Sequence, residues 1–219
     1  MLTAATLNFL SDLAMNNNRD WFHANKPRFE QEVQKPFLVF VAGIIEGLVE
    51  IDPRFQVSAK DAVFRIYRDT RFGTDKTPYK TNISASITPL GKKSNFPGFY
   101  VQVDAEKMMI GGGAYSLEKE QLLKIREGIA QQESHFLELI KDPNFVQHYG
   151  AMKGENLKRV PVEWKEVYER IPLIVNKQFY FMAEMDSDAV LKSNAVEVAV
   201  DYAKAGLPLI DFLGDCIHS

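Results

Sequence analysis

The sequence predicts an α+β fold, a mostly antiparallel sheet of about five strands packed against N-terminal and C-terminal helices, within one domain spanning residues 1–219. Three observations lead there. Apolar residues recur at helical spacing near both ends of the chain. In the middle the hydrophobic period falls to two, as in strands with one buried face. These strand-like runs also follow one another through short connections, whereas parallel pairing would require long crossovers.

Each element can be justified in turn. Leu7, Leu10, Leu13 and Ala14 form a short helical stripe that ends at Asn16-Asn17-Asn18, residues that compete with a helix for its backbone. Asp20 is positioned to cap a segment carrying Trp21 and Phe22. Pro27 suits the first turn of the long helix that follows, and Pro36 must kink or divide it. Beyond Pro36, Phe37, Phe40, Val41, Ile44, Ile45 and Leu48 fall on one face until Pro53 stops the helix. Strands are expected over residues 63–69, 82–88, 99–103, 108–110 and 177–184, with a hairpin through Asp104-Ala105-Glu106-Lys107. Ser116 is read as the N-cap of a helix bearing Leu117, Leu122, Ile125 and Ile129, and Phe136, Leu139 and Ile140 mark another. Asp186 or Ser187 would cap a helix over residues 189–203, before a last one bearing Leu209, Phe212, Leu213 and Cys216.

Composition narrows the function classes. With 219 residues, 46% hydrophobic and 25% charged, the chain can bury a core without staples. Its net charge of −3 supplies no global field for nucleic acid or an anionic membrane. Residues 60–93 nevertheless hold eight Lys/Arg against three Asp, a local +5 that leaves −8 on the remainder. A positive island on an acidic chain favours a local anion site over a broad nucleic-acid surface. The single Cys216 permits no internal disulfide and no thiolate metal cage. Residues 1–15 lack the positive leader and continuous apolar core of a signal peptide, and no apolar run approaches the ~20 residues of a membrane helix. A cytoplasmic protein with no membrane partner is the expectation.

The densest chemistry lies in residues 65–80, Arg65-Ile66-Tyr67-Arg68-Asp69-Thr70-Arg71-Phe72-Gly73-Thr74-Asp75-Lys76-Thr77-Pro78-Tyr79-Lys80. Strand alternation sets Arg65, Tyr67 and Asp69 on one face and Phe64, Ile66 and Arg68 on the other, with Arg68 directed coreward and needing a partner. Gly73 and Pro78 mark a loop carrying Lys76, Tyr79 and Lys80. One reading is a clamp for phosphate or carboxylate, because arginine forks bind such groups bidentately and tyrosine hydroxyls add donors. The other is a brace in which the arginines pair with Asp61, Asp69 and Asp75. Arg68 and Asp69 suit the brace, whereas Arg65, Arg71 and Lys80 suit a ligand.

The spaced pattern Arg-x-x-Arg-Asp-x-Arg-Phe-x-x-Asp-Lys-x-x-Tyr-Lys resembles the signature of a widespread bacterial family of conserved hypothetical proteins, with fungal relatives, classed as a domain of unknown function. Asn16-Asn17-Asn18-Arg19-Asp20-Trp21-Phe22 is similar to its first motif, and Gly111-Gly112-Gly113-Ala114-Tyr115 with Arg126 to its middle. Leu157-Lys158-Arg159-Val160-Pro161 and Lys177-Gln178-Phe179 are similar to its later segments, so the resemblance covers nearly the whole chain. Where this chain has Asn25 the family pattern often has His, which argues against an essential histidine there. The resemblance implies kinship without assigning an activity or a cofactor.

The later segments add Arg159 and Lys177 as cations that could join Arg65, Tyr67, Arg68, Asp69, Arg71, Lys76, Tyr79 and Lys80 around one ligand; for Lys158 solvation is the simpler reading. Gly111-Gly112-Gly113 admits either a phosphate-binding turn or a tight turn or bulge, and matches neither the dinucleotide fingerprint nor a P-loop. His23, His135, His148 and His218 show no metal-ligand spacing, and Cys216 reads as an inert buried thiol. Trp21-Phe22 reads as packing beneath the long helix or as an aromatic shelf. Three functions stay open. They are binding, or turnover with Tyr67 or Tyr79 and an Asp as the proton-transfer pair, of an anionic phosphate-bearing small molecule; nucleic-acid binding by the same island; and a structural motif in a protein-interaction domain.

Overall fold

Helix formation at the N-terminus follows the apolar stripes closely. In the computed structural model, which describes residues 1–71, 74–89, 91 and 96–218, α1 spans Ala4–Met15, ends before the asparagine run, and buries Leu7, Phe9, Leu10 and Leu13. The next helix, α2 (Arg19–Arg28), is capped by Asn18, whose side chain accepts from Trp21 N at 2.9 Å. Asp20, the expected cap, instead lies in the first turn, where its charge favours the positive end of the helix. Pro27 sits inside α2 rather than opening a later helix.

Pro36 divides the helical path, but through a change of register. Residues Phe29–Gln34 form a π-helical segment that leads into α3 (Lys35–Ile51). A proline has no N–H for the carbonyl four residues back, which is that of Glu32. The Thr6 hydroxyl supplies the missing donor, at 2.5 Å from that carbonyl oxygen. On α3 the predicted face of Phe37, Phe40, Val41, Ile44, Ile45 and Leu48 is buried.

A one-turn helix, α4 (Ala59–Ala62), precedes the basic segment. The strand expected over residues 63–69 does not form as a ladder. The segment touches its neighbour through two isolated antiparallel bridges, Val63↔Ala85 and Tyr67↔Tyr79. The two bridges are four residues apart on one side and six on the other, and that mismatch breaks the pairing. Among the described residues the sheet therefore has four strands rather than about five. They are β1 (Asn82–Ile87), β2 (Gly98–Asp104), β3 (Lys107–Ala114) and β4 (Phe179–Asp186), antiparallel and in the order β1-β2-β3-β4. The expected hairpin joins β2 to β3, its turn held by Asp104 Oδ1, which accepts from Glu106 N and Lys107 N at 2.9 and 2.8 Å.

The glycine triplet belongs to β3 rather than to a turn before a helix. Gly113 has φ +115°, and a Cβ there would collide with the Phe179 carbonyl oxygen, so the strand itself requires glycine at this position. The following helix, α5 (Lys119–Gln131), starts at Glu118, whose N–H donates to the Gln121 side chain at 3.0 Å; Ser116 is not its cap. Then come α6 (Glu133–Lys141), α7 (Pro143–Tyr149) and α8 (Lys165–Arg170). At the C-terminus a 3-10 turn (Ser187–Leu191) replaces the expected start near Asp186, and one helix, α9 (Ala195–His218), runs straight through Pro208.

The chain divides into two compact units. The first comprises Met1–Lys92, Tyr100–Ile110 and Glu184–Val200. Its core holds an aromatic cluster of Phe9, Phe22 and Phe29, and α3 approaches α9 closely at Gly47, where an added Cβ would lie 2.6 Å from Val200 Cγ2. The second comprises Lys93–Phe99, Gly111–Ala183 and Asp201–Ser219, and packs Phe145, Tyr149 and Phe181 together, with Phe136 against Phe212. No helix among the described residues is long and apolar enough to cross a membrane.

Candidate functional site

The basic segment lies in the first unit, anchored from both sides. Asn17 acts as a substitute strand: its Nδ2 donates to the Tyr79 carbonyl oxygen at 2.9 Å and its Oδ1 accepts from Tyr79 N at 3.1 Å. The Tyr79 ring is 2% exposed and stacks on Phe22, centroids 4.0 Å apart and planes at 21°. Tyr67 lies 5.4 Å from Tyr79 and 6.1 Å from Phe22, and remains 47% exposed. Burial pushes the Tyr79 phenol upward, and Tyr67 adds to this while the Arg19 guanidinium opposes it. Trp21 packs on Phe9 and Phe22 on Phe29, the first residue of the π-helical segment, so the pair joins the ring cluster where α1, α2 and the start of the expected long helix meet.

The alternation read from the sequence persists without a regular strand. Arg65, Tyr67 and Asp69 are exposed, Ile66 is buried, and Phe64 and Arg68 are half-buried. Pairing then divides the cations. Arg68 Nη1 is ion-paired with Asp75 Oδ2 and donates to Thr77 Oγ1 at 2.7 Å. Arg71 forms a fork with Asp69, at 2.9 Å from Nε and 2.7 Å from Nη2. Asp75 is held at about 2 by the Thr77 N–H first and by Arg68 second. Asp69 is also held at about 2, by the Arg71 side chain first and its backbone N–H second. Lys76 donates to the Thr70 carbonyl oxygen at 2.8 Å. Asp61, expected in the brace, bonds Ser58 at the start of α4 instead. Gly73, read as the pivot of the loop, lies outside the described residues.

Two cations of the segment, Arg65 and Lys80, hold neither a carboxylate nor a carbonyl among the described residues, whereas Lys76 holds the Thr70 carbonyl. Lys80 places its ammonium 5.1 Å from the Phe64 ring centroid, and its affinity for a proton is lowered by burial and then by the charge of Arg65. Arg159 and Lys177 are exposed and belong to the second unit, where Lys177 pairs with Glu155 at 3.3 Å. Arg126, matched to the middle motif, is buried; its Nε and Nη2 donate to the carbonyl oxygens of Ile174 and Asn176 at 2.9 and 3.0 Å. It ties α5 to the chain before β4. No three His, Cys, Asp or Glu among the described residues are grouped as a metal site requires.

Sequence reasoning missed Asn17, Arg19 and Phe64 as parts of this site. The Asn17–Tyr79 link spans 62 residues, and no local pattern encodes such a separation. Arg19 carried a signal only as part of the first motif, and Phe64 read simply as a strand residue.

A family model described as conserved hypothetical protein (DUF2461) matches residues 5–212. Searches of curated proteins and of solved structures found no match.

Proposed function

This chain belongs to the conserved hypothetical protein family DUF2461, and on that footing we propose that it binds an anionic, phosphate-bearing small molecule at Lys80 and Arg65. One observation carries the reading. Of the cations in residues 65–80, Arg68 and Arg71 already hold aspartates, whereas Lys80 and Arg65 act on each other and neither is ion-paired among the described residues, Asp69 feeling the charge of Arg65 only after its own bonds to Arg71. A partly desolvated ammonium beside a second positive charge is destabilised, and a phosphate oxygen would relieve both the desolvation and the repulsion. The exposed Tyr67 hydroxyl supplies a further donor. A cytoplasmic setting is part of the proposal, in keeping with a chain that has a single cysteine, the buried Cys216.

A second role runs alongside it. The Arg68–Asp75 and Arg71–Asp69 pairs favour bracing of the loop, which removes those two arginines from the ligand set. The test is calorimetric titration of inorganic phosphate and pyrophosphate into the native protein, Lys80→Met and Arg68→Ala. Native protein should bind, and Lys80→Met should lose roughly 10- to 100-fold in affinity, the scale of one hydrogen bond to a charged group. Arg68→Ala should bind nearly as well as native protein while melting earlier. Absence of binding by native protein at tens of millimolar phosphate would end the reading.

A further inference from the structure

We propose that the polar face of the sheet beside Lys80 receives the hydroxyl-bearing body of a sugar phosphate, with the phosphate at Lys80. The inference rests on the anion reading above and names the class of molecule that carries the anion.

The face is written in β1 and β2. Odd-numbered Ile83, Ala85 and Ile87 turn into the core, so even-numbered Asn82, Ser84 and Ser86 occupy the opposite side. Phe64 N donates to the Ser84 carbonyl oxygen at 2.9 Å, and the Phe64 ring carries the Lys80 ammonium above it. Lys80 is thereby brought to the end of that row. At about 3.4 Å per residue, Lys80 and Ser84 are at most about 14 Å apart along the chain, and the lysine stem shortens the gap. On β2, the Tyr100 hydroxyl donates to Gln102 Oε1 at 2.7 Å. All these groups belong to the first unit.

The hydrogen-bonding inventory selects the ligand. Asn82 and Ser86 are half-exposed, and their side chains have no hydrogen-bond partner among the described residues. Among the described residues Gln102 Nε2 reaches only the Met109 sulfur, at 3.5 Å, a weak acceptor that leaves a good donor underused. Burial raises the Tyr100 phenol, so it stays a neutral hydroxyl at physiological pH. Asn82, Ser86, Tyr100 and Gln102 are half-exposed and neutral, and each can both donate and accept, whereas Ser84 in the middle of the row is buried at 3% exposure. Such a row matches alcohol groups, which also do both, better than it matches a second charge. The Phe64 and Tyr100 rings add apolar surface of the kind that the C–H faces of a sugar require. Arg68 is held by Asp75 and Thr77 and takes no part in this row.

The experiment compares ribose 5-phosphate, inorganic phosphate and free ribose by calorimetry on native protein, Lys80→Met, Gln102→Leu and Asn82→Ala. Native protein should prefer ribose 5-phosphate over phosphate by at least about tenfold, the scale of one or two net hydrogen bonds. Lys80→Met should weaken both anions. Gln102→Leu and Asn82→Ala should leave phosphate binding intact, which also shows that they fold, and should shrink the preference for ribose 5-phosphate. Equal affinity of native protein for the two anions, or an undiminished preference in both face variants, overturns the sugar-phosphate assignment and leaves the anion reading standing. If native protein binds neither anion, both fall together.

Discussion

A single substitution at Arg68 and one at Lys80 test opposite roles, because the two cations differ in what neutralises them. Arg68 spends its charge on Asp75, and the consequence should appear as a pH effect. Asp75 is held at about 2 in the fold against an ordinary 3.8, chiefly by the Thr77 N–H and then by Arg68. A depressed carboxylate contributes stability that is complete above its unfolded value and is lost as pH falls through its folded one. The loop pairing should therefore persist from neutral pH to below 4 and disappear toward 2, which carboxyl-detected NMR titration of Asp75 would follow. In Arg68→Ala the Asp75 midpoint should move part of the way back, the Thr77 N–H still holding some of the shift. Lys80 has the opposite sign. Its proton affinity is lowered by burial and by Arg65, so the fold carries a penalty at every pH where Lys80 is charged, relieved only as the group deprotonates. A bound phosphate must then raise the Lys80 midpoint. Titration of the Nζ resonance with and without saturating phosphate should show an upward shift, and an unmoved midpoint would mean that the anion sits elsewhere.

At the level of elements, the π-helical segment between α2 and α3 shows how a local defect is repaired by a distant residue. Pro36 deprives the Glu32 carbonyl of its helical donor, and the fully buried Thr6 in α1 provides another. Thr6→Val keeps the shape and removes the hydroxyl, taking its donor from the part-buried Glu32 carbonyl. We expect a loss of about 1–3 kcal/mol in urea unfolding, with α1 released first in hydrogen exchange. Thr6→Ser, which retains the donor, should restore most of it. A comparable test applies to α3 and α9: Gly47→Ala puts a methyl 2.6 Å from Val200 Cγ2 and should cost about 1–3 kcal/mol, recovered in part by Val200→Ala. These contacts also mark the limit of what the sequence made legible. The α3 face, the β2–β3 hairpin and the end of α1 were readable because hydrophobic period and turn chemistry are local. The segment over residues 63–69 was readable in its alternation but not in its pairing, since the mismatch between its two bridges is set by where β1 lies. Ser116 and Asp186 looked like caps because Ser and Asp favour that position, yet Glu118 and a 3-10 turn took the role once the surrounding backbone was fixed. Thr6–Glu32 and Asn17–Tyr79 join residues 26 and 62 apart, separations that no window of sequence contains.

For the molecule as a whole, the decisive quantity is how much of the positive island remains available to a partner. The count of +5 over residues 60–93 suggested a patch, but most of the cations of residues 65–80 are already engaged. Arg68 and Arg71 are closed by their own aspartates, Lys76 is tied to a backbone carbonyl, and Lys177, a proposed distant helper, holds Glu155. The cations of residues 65–80 that hold neither a carboxylate nor a carbonyl among the described residues are Arg65 and Lys80. A polyanion draws affinity from the number of phosphates it can neutralise at once, and each neutralised phosphate steepens the salt dependence by about one log unit per log unit of salt. Two cations on a chain of net charge −3 can support little of that. Binding of ribose 5-phosphate between about 50 and 200 mM salt should weaken only severalfold, since at most two cations are engaged. A single-stranded oligonucleotide of a dozen residues should bind no more tightly than its mononucleotide over the same range. If the oligonucleotide instead gained orders of magnitude at low salt and lost them steeply at high salt, more cations would have to converge than Arg65 and Lys80. The exposed Arg159 would be the next to substitute, and the nucleic-acid reading would displace the small-molecule one.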